Sequence, residues 1–173
     1  EQGLSRKGPD PLQASYYYSR PQLKVQAQLS RGGKVEDLAG IAWLDHEWSS
    51  AALAPDAVGW DWVGMNLDDG SALAAFQIRS KQAGQPPVQT YAALRGASGS
   101  VQLVAPVDVR FTPLRYWNSS RYRSAWPVAQ RIRIGTRVFE TRPLMDDQEL
   151  DSRLTTGAVY WEGASQLLEA GRP

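Results

Sequence analysis

Cysteine is absent from the 173 residues, so disulfides, thiolate metal sites and a cysteine nucleophile are excluded together. Histidine occurs once, as His46. A helical His-Glu-x-x-His zinc site, or any two-histidine metal centre, therefore cannot be built from this chain, and no metal site is expected. There is no glycine-lysine phosphate loop and no dinucleotide fingerprint, which argues against ATP and NAD chemistry. Apolar runs are short, and none approaches the ~18 residues a membrane-crossing helix needs. The start, Glu1 to Lys7, lacks the basic-then-apolar order of a secretory signal, so the signal of an exported parent would lie elsewhere. What remains is ordinary globular usage, 42% hydrophobic and 21% charged with a net charge of +1. The length suits one domain of ~100–200 residues.

The small net charge conceals an uneven layout. From Val35 to Ile78 there are eight acids (Glu36, Asp37, Asp45, Glu47, Asp56, Asp61, Asp68 and Asp69) and no lysine or arginine. From Arg110 to Arg142 there are eight arginines against the single acid Glu140. Such runs usually form solvated faces, or pair across neighbouring strands. The sharper alternative takes Arg115-Tyr116-Trp117 and Arg121-Tyr122-Arg123 as a nucleic-acid surface of phosphate-neutralising and base-stacking groups. The cancelling acids speak against it, and no nucleic-acid partner is expected.

Along the chain, residues 1–15 are polar, with Gly3, Gly8, Pro9 and Pro11, and read as a linker or extended arm. Residues 16–173 form the folded domain. Tyr16-Tyr17-Tyr18 and Leu23 to Leu29 alternate with period 2, the signature of a half-buried strand. A turn follows at Ser30 to Lys34, then a strand over Leu38–Trp48. Asp69-Gly70 predicts a two-residue hairpin turn between Val58 and Arg79. In that register Asp61 shares a face with Val63, Met65, Ile78, Phe76 and Ala74, an apolar setting in which a carboxylate must be protonated, hydrogen-bonded or paired. Further strands are expected at 101–104, 107–111, 129–134, 138–141 and 159–162, with short helix only at Asp146–Leu154 or Ala164–Ala170. Short strands at this spacing predict an all-β, antiparallel sandwich or barrel.

Four of the seven tryptophans, Trp43, Trp48, Trp60 and Trp62, fall within twenty residues, among His46, Asp45, Glu47 and Asp61. Strand alternation puts His46 and Trp48 on one face and Trp43, Asp45 and Glu47 on the other, so one cavity cannot hold them all. One reading is a core of large aromatics whose indole N–H groups find Asp or His partners. The other is an apolar cavity with a few polar groups, where His46 exchanges a proton, a carboxylate such as Asp61 orients it or supplies acid, and indole faces stabilise a cation. That set suits proton-initiated chemistry on an alkene. A serine hydrolase using Ser49 or Ser50 lacks a nucleophile elbow, and metal ligation by Asp45, His46 and Asp61 has no diagnostic spacing. Tyr122 and Trp126 are candidates for closing one end of a barrel, and Asp146 to Asp151 for a solvated turn or helix start.

Several separated motifs, in order, resemble the AttH and carotenoid 1,2-hydratase (hydroxyneurosporene synthase) family: Tyr17-Tyr18-Ser19-Arg20-Pro21, Ala42-Trp43-Leu44-Asp45-His46-Glu47-Trp48, Gly59-Trp60-Asp61-Trp62 and Leu67-Asp68-Asp69-Gly70. Downstream, Trp126-Pro127-Val128, Asp146-Asp147-Gln148-Glu149-Leu150 and Gly157 to Gly163 are similar to it as well. The resemblance implies a lipocalin-like (calycin) β-barrel, the second of two in a longer protein that is often exported to the periplasm. It would lack its last strand and so be open at one edge, with a short helix near the C-terminus. It implies an apolar isoprenoid or lipid ligand, a hydro-lyase adding water to a carbon-carbon double bond without an organic cofactor, and a companion N-terminal barrel. On this implication His46, Trp48 and Asp61 are the catalytic candidates. Trp43, Trp60, Trp62, Asp45, Glu47, Tyr122 and Trp126 are the ligand-binding ones. The alternative implied by other relatives is a non-catalytic lipid carrier or accessory of an export system.

Overall fold

The structure, a computed structural model, describes residues 3–50, 53–155 and 157–169. They fall into two compact units, Glu1–Pro106 and Val107–Pro173. Every strand pairing is antiparallel, and the only helix among the described residues is one 3-10 turn at Pro106–Asp108. No helix among them is long and apolar enough to cross a membrane.

In the first unit, β1 (Leu4–Arg6), β2 (Ala14–Arg31) and β3 (Lys34–Trp48) form one sheet in that order. The β2–β3 hairpin turns at Gly32-Gly33, whose φ angles of 57° and 77° are those that a tight, right-twisted hairpin needs and that only glycine adopts freely. The stretch read as a linker or extended arm is partly structured. Leu4 pairs with Tyr16 and Arg6 with Ala14, and Ser5 and Ser15 are buried. A second sheet holds β4 (Ala57–Asn66), β5 (Ala72–Ser80), β6 (Gln89–Arg95) and β7 (Val101–Val104) in sequence order. Its central strand β5 carries Leu73, Ala75 and Ile78 at 1% exposure or less. Phe76 and Ile78 pack with Ala54 and Ala57, flanked by Leu53, Val88 and Tyr91.

The β4–β5 turn departs from the expected two-residue form. Gly70 N–H donates to Leu67 C=O (3.1 Å), Leu67 N–H donates to Ser71 C=O (2.9 Å), and Gly70 has φ 79°. This is a type I turn closed by a left-handed glycine, one residue longer than expected. The extra residue slips the pairing, so that Asn66 meets Ala72, Val63 meets Ala75, and Asp61 meets Gln77 rather than Ile78. A one-residue slip exchanges the faces of β5 relative to β4.

In the second unit, β8 (Val109–Asn118), β9 (Ala125–Ile134), β10 (Arg137–Pro143) and β13 (Ser165–Glu169) form a sheet in the order β13-β10-β9-β8, while β11 (Glu149–Ser152) pairs with β12 (Ala158–Trp161). Phe111, Ile132 and Phe139 share one register row and are 7%, 1% and 1% exposed. Each such side chain contributes ~1.5–3 kcal/mol by leaving water. The helices expected at Asp146–Leu154 and Ala164–Ala170 are absent from their described residues, where β11 and β13 lie. Pieces this short are marginal as helices, and Ser165 to Glu169 gain a full ladder against β10 instead. The four sheets are all antiparallel and none is closed among the described residues. The expected barrel is thus matched here by all-β, antiparallel architecture and no further.

Candidate functional site

The β2–β3 hairpin displays two sets of side chains on opposite faces, because Tyr16 pairs with Trp48, Tyr17 with Glu47, Tyr18 with His46 and Ser19 with Asp45. One face presents Tyr16, Tyr18, Leu44, His46 and Trp48, all exposed. There the His46 and Trp48 rings are 4.9 Å apart, Tyr16 stacks on Trp48 at 5.4 Å, and Tyr18 meets both His46 and Trp48 edge-on. The Tyr18 hydroxyl lies 3.3 Å from His46 Nδ1. An imidazole in an aromatic surface, open on one side, can pass a proton to or from a bound molecule or water.

The opposite face carries a polar network under aromatic rings. Tyr17 donates to Asp45 Oδ1 (2.7 Å), the same oxygen that accepts from Ser19 Oγ (2.5 Å), and Trp62 Nε1 of β4 donates to the Tyr17 hydroxyl (3.2 Å). Beside it, Glu47 accepts from the Ser15 hydroxyl and pairs with Lys7 Nζ at 2.6 Å. That ammonium lies over the rings of Tyr17 (5.8 Å) and Phe76 (5.2 Å). Trp43 and Trp62 meet edge to face at 6.4 Å, and Trp43 Nε1 is a buried donor without a partner among the described residues.

Burial, and after it the Asp45 carboxylate, pushes the Tyr17 phenol well above the ordinary tyrosine range, against the opposing pull of the hydrogen bonds from Ser19 and Trp62. The folded state therefore holds this proton more tightly than the unfolded chain does. The stabilisation is complete below the ordinary tyrosine value of ~10 and is lost as pH rises above it. We expect Tyr17 to be among the last phenols to ionise in an alkaline titration followed by phenolate absorbance. Tyr17→Phe should remove that late component, and an unchanged curve would refute the assignment.

Asp61 is 8% exposed, but the slipped register supplies the partners that the apolar expectation lacked. Gln77 Nε2 donates to Asp61 Oδ2 (2.8 Å), and Arg79 lies 3.7 Å from Oδ1. Of the three explanations open to a buried carboxylate, hydrogen bonding and pairing are the ones realised. Trp60 and Trp62 alternate onto the other face of β4, 43% and 38% exposed.

Tyr122 and Trp126 belong to the second unit, where they serve an acidic row. Trp126 Nε1 donates to Glu149 Oε1 (2.5 Å), Ser119 Oγ donates to Glu149 Oε2 (2.8 Å), and Tyr122 donates to Asp151 (3.2 Å). Arg115 forks onto Asp146 and Arg153 onto Asp151, and Arg121 donates to both oxygens of Asp147. The Arg115 guanidinium holds Asp146 below the usual carboxylate range, and Arg153 does the same for Asp151. Arg131 and Arg137 pair with Glu140 and Glu169. Four of the eight arginines of residues 110–142 are thus paired with acids of their own unit. Asp146 to Asp151, expected as a solvated turn or helix start, includes part of β11 and the buried Glu149 side chain, at 0% exposure.

The structure therefore brings His46 and Trp48 together on one face and Trp43, Asp45, Glu47 and Trp62 on the other, with Asp61 paired within the β4–β5 sheet. Tyr17, Ser19 and Glu149 join the functional groups without having been singled out individually. The register of Tyr16-Tyr17-Tyr18 against Asp45 to Trp48 was the signal that could have found Tyr17 and Ser19. No group of three or more His, Asp or Glu side chains is placed to hold a metal ion among the described residues.

No curated protein matches the chain. Among solved structures, a candidate AttH protein from Nitrosomonas europaea is 53% identical with a TM-score of 0.89, over 100% of this chain and 53% of that one. Kievitone hydratase from Nectria haematococca is 21% identical with a TM-score of 0.70, over 99% of this chain and 52% of the other, a likeness of fold alone. The chain thus spans about half the length of these two proteins. The AttH-like family matches residues 1–172, and the chain belongs to that family.

Proposed function

We propose that this chain is the part of an AttH-like protein that holds a long apolar molecule, an isoprenoid or other lipid, and adds water across one of its carbon-carbon double bonds. The observation that carries the reading is the exposed assembly of Tyr16, Tyr18, His46 and Trp48. It offers an apolar aromatic wall, ring faces against which a cation is stabilised, and one imidazole able to take up or release a proton. In the reaction the alkene π pair takes a proton from an acid and leaves a tertiary cation. Water ordered by His46 adds its oxygen to that cation and gives up a proton, so the product gains one H2O. Trp43, Trp60, Trp62, Asp45, Glu47, Tyr122 and Trp126 shape binding surfaces in this reading. The remaining half of the longer protein, the companion barrel of an exported parent, supplies the opposing wall. The name of the hydratase neighbour supports the reaction class and specifies no substrate for this chain.

The test is mass spectrometry of the full-length protein incubated with acyclic isoprenoids. A water-adduct product is expected, reduced ~10²–10⁴-fold in His46→Ala with ligand retained. Asp61→Asn in the same assay separates two roles. A proton donor loses turnover with binding intact, whereas a carboxylate that orders Gln77 and Arg79 loses stability and keeps its rate. A second reading, a non-catalytic carrier, is favoured by one feature: the exposed face of β2–β3 formed by Tyr16, Tyr18, Leu44, His46 and Trp48 contains no carboxylate. Ligand retained without any mass change would decide for the carrier.

A further inference from the structure

The arginines of the second unit divide into two groups. Arg115, Arg121, Arg131, Arg137 and Arg153 each meet a carboxylate. Among the described residues Arg110, Arg123, Arg133 and Arg142 do not, and all four are exposed. Arg110 stands directly opposite Arg133 in the β8–β9 register. The next row on the same face sets Thr112 against Arg131, and Arg131 against Glu140. Along β10 the alternation that puts Glu140 on this face puts Arg142 there too, two rows from Arg110 and Arg133, about 13 Å away at four residues of strand rise. Arg133 makes one long hydrogen bond, 3.5 Å to Val107 C=O, and Asp108, two residues before Arg110, forms no ion pair with either arginine.

Like charges directly opposite on adjacent strands repel. Here they are held within cross-strand distance by the backbone ladder, while Arg131 in the next row has found an acid in Glu140. Two guanidinium forks carried at opposed positions on one face can each donate twice to the oxygens of a phosphate group. We propose that the exposed face of the β8–β9–β10 sheet is a binding site for a phosphate-bearing anion, clamped between Arg110 and Arg133. The site is independent of the hydration reading, lies on the second unit alone, and uses none of the residues given a role there. The recognised chemistry is the phosphate itself, shared by soluble esters and lipid headgroups, and the experiment separates the two.

Inorganic pyrophosphate, titrated calorimetrically into the full chain at low ionic strength, is the first probe. Binding should weaken as salt is added and fall at least ~tenfold in Arg110→Gln/Arg133→Gln, since two charge-assisted forks are lost. Arg153→Gln, which removes an arginine already paired with Asp151, should leave it within about twofold. The anion-free double variant should melt no lower than the parent, because a repulsive pair has gone. This also guards against loss of binding through misfolding. Co-sedimentation with phosphatidylglycerol vesicles, absent with phosphatidylcholine, would place the phosphate on a lipid. Pyrophosphate binding without vesicle binding would place it on a soluble ester. Pyrophosphate affinity unchanged in the double variant would overturn the site, as would retention of duplex DNA with neither pyrophosphate nor vesicles bound.

Discussion

Glu149→Ala is expected to destabilise the second unit by about 3 kcal/mol. The Glu149 side chain has no exposed surface, and its two oxygens accept from Trp126 Nε1 and Ser119 Oγ. Truncation strands both donors inside the protein, at ~1–3 kcal/mol for each unmet group. The nearby Arg121 guanidinium adds little, because it sits 3.8 Å away and is 56% exposed, where screening leaves ~0–1 kcal/mol. Glu149→Gln keeps one acceptor and should cost about 1 kcal/mol. Urea unfolding followed by tryptophan fluorescence measures both values. A loss under ~1 kcal/mol for the alanine variant would mean that water replaces the carboxylate, and that Glu149 is not what fixes Trp126.

Gly64→Val is the second change with a large expected effect, about 3 kcal/mol, at the upper end of overpacking costs. A Cβ placed at Gly64 would lie 2.7 Å from Trp43 Cε2 and from Trp62 Cζ2 and Cη2, so the edge-to-face indole pair must open before any side chain fits. Gly64→Ala should cost less, because a strand interior prefers alanine to glycine by up to ~1 kcal/mol, which offsets part of the clash. Thermal melting gives the cost, and near-ultraviolet circular dichroism reports whether the Trp43–Trp62 geometry is lost. A valine variant that melts like the parent with its near-ultraviolet signal intact would show that the two rings do not need the space above Gly64.

The strands were legible because their signals are local. The alternation of Tyr16 to Tyr18, the glycines of the β2–β3 turn, and the division of His46 and Trp48 from Trp43, Asp45 and Glu47 are all present in the structure, whereas the half-burial expected as far as Leu29 stops at Val25, beyond which both faces are exposed. The turn at Asp69-Gly70 shows where local reading stops. The same dipeptide serves as the centre of a two-residue loop or as the end of a type I turn, and a side-chain bond decides between them. Asp69 Oδ1 accepts from Ser71 N–H at 2.9 Å, holding the longer form. That one residue moved Gln77 and Arg79 to the side of Asp61 and turned an isolated acid into a paired one. Residues 146–154 and 164–170 misled for a different reason. Their helical pattern is too short to stand alone, and the ladder offered by β10 or β12 is visible only in three dimensions. Tyr17 and Glu149 were hidden because their meaning lies in partners at long sequence separation, Asp45 and Trp62 for the first, Ser119 and Trp126 for the second.

Gln22 has φ 56°, one of two non-glycine residues described with positive φ, at the irregularity between Arg20 and Leu23. Its N–H donates to Asn66 Oδ1 (2.7 Å), and its side-chain amide donates to the carbonyls of Leu67 (3.0 Å) and Ser71 (2.7 Å). Asn66 Nδ2 in turn donates to Ala42 C=O (3.2 Å). Both strands of the long hairpin are thereby fastened to the β4–β5 turn at one level. Beyond that level residues 26–41 are exposed on both faces and carry the lower local stability of a ribbon without a second layer. The clamp acts as a mechanical damper. Opening that begins at Gly32-Gly33 is expected to stop at Gln22 and Ala42, where these bonds hold both strands, leaving the spacing between Tyr17, Asp45 and Trp62 unchanged.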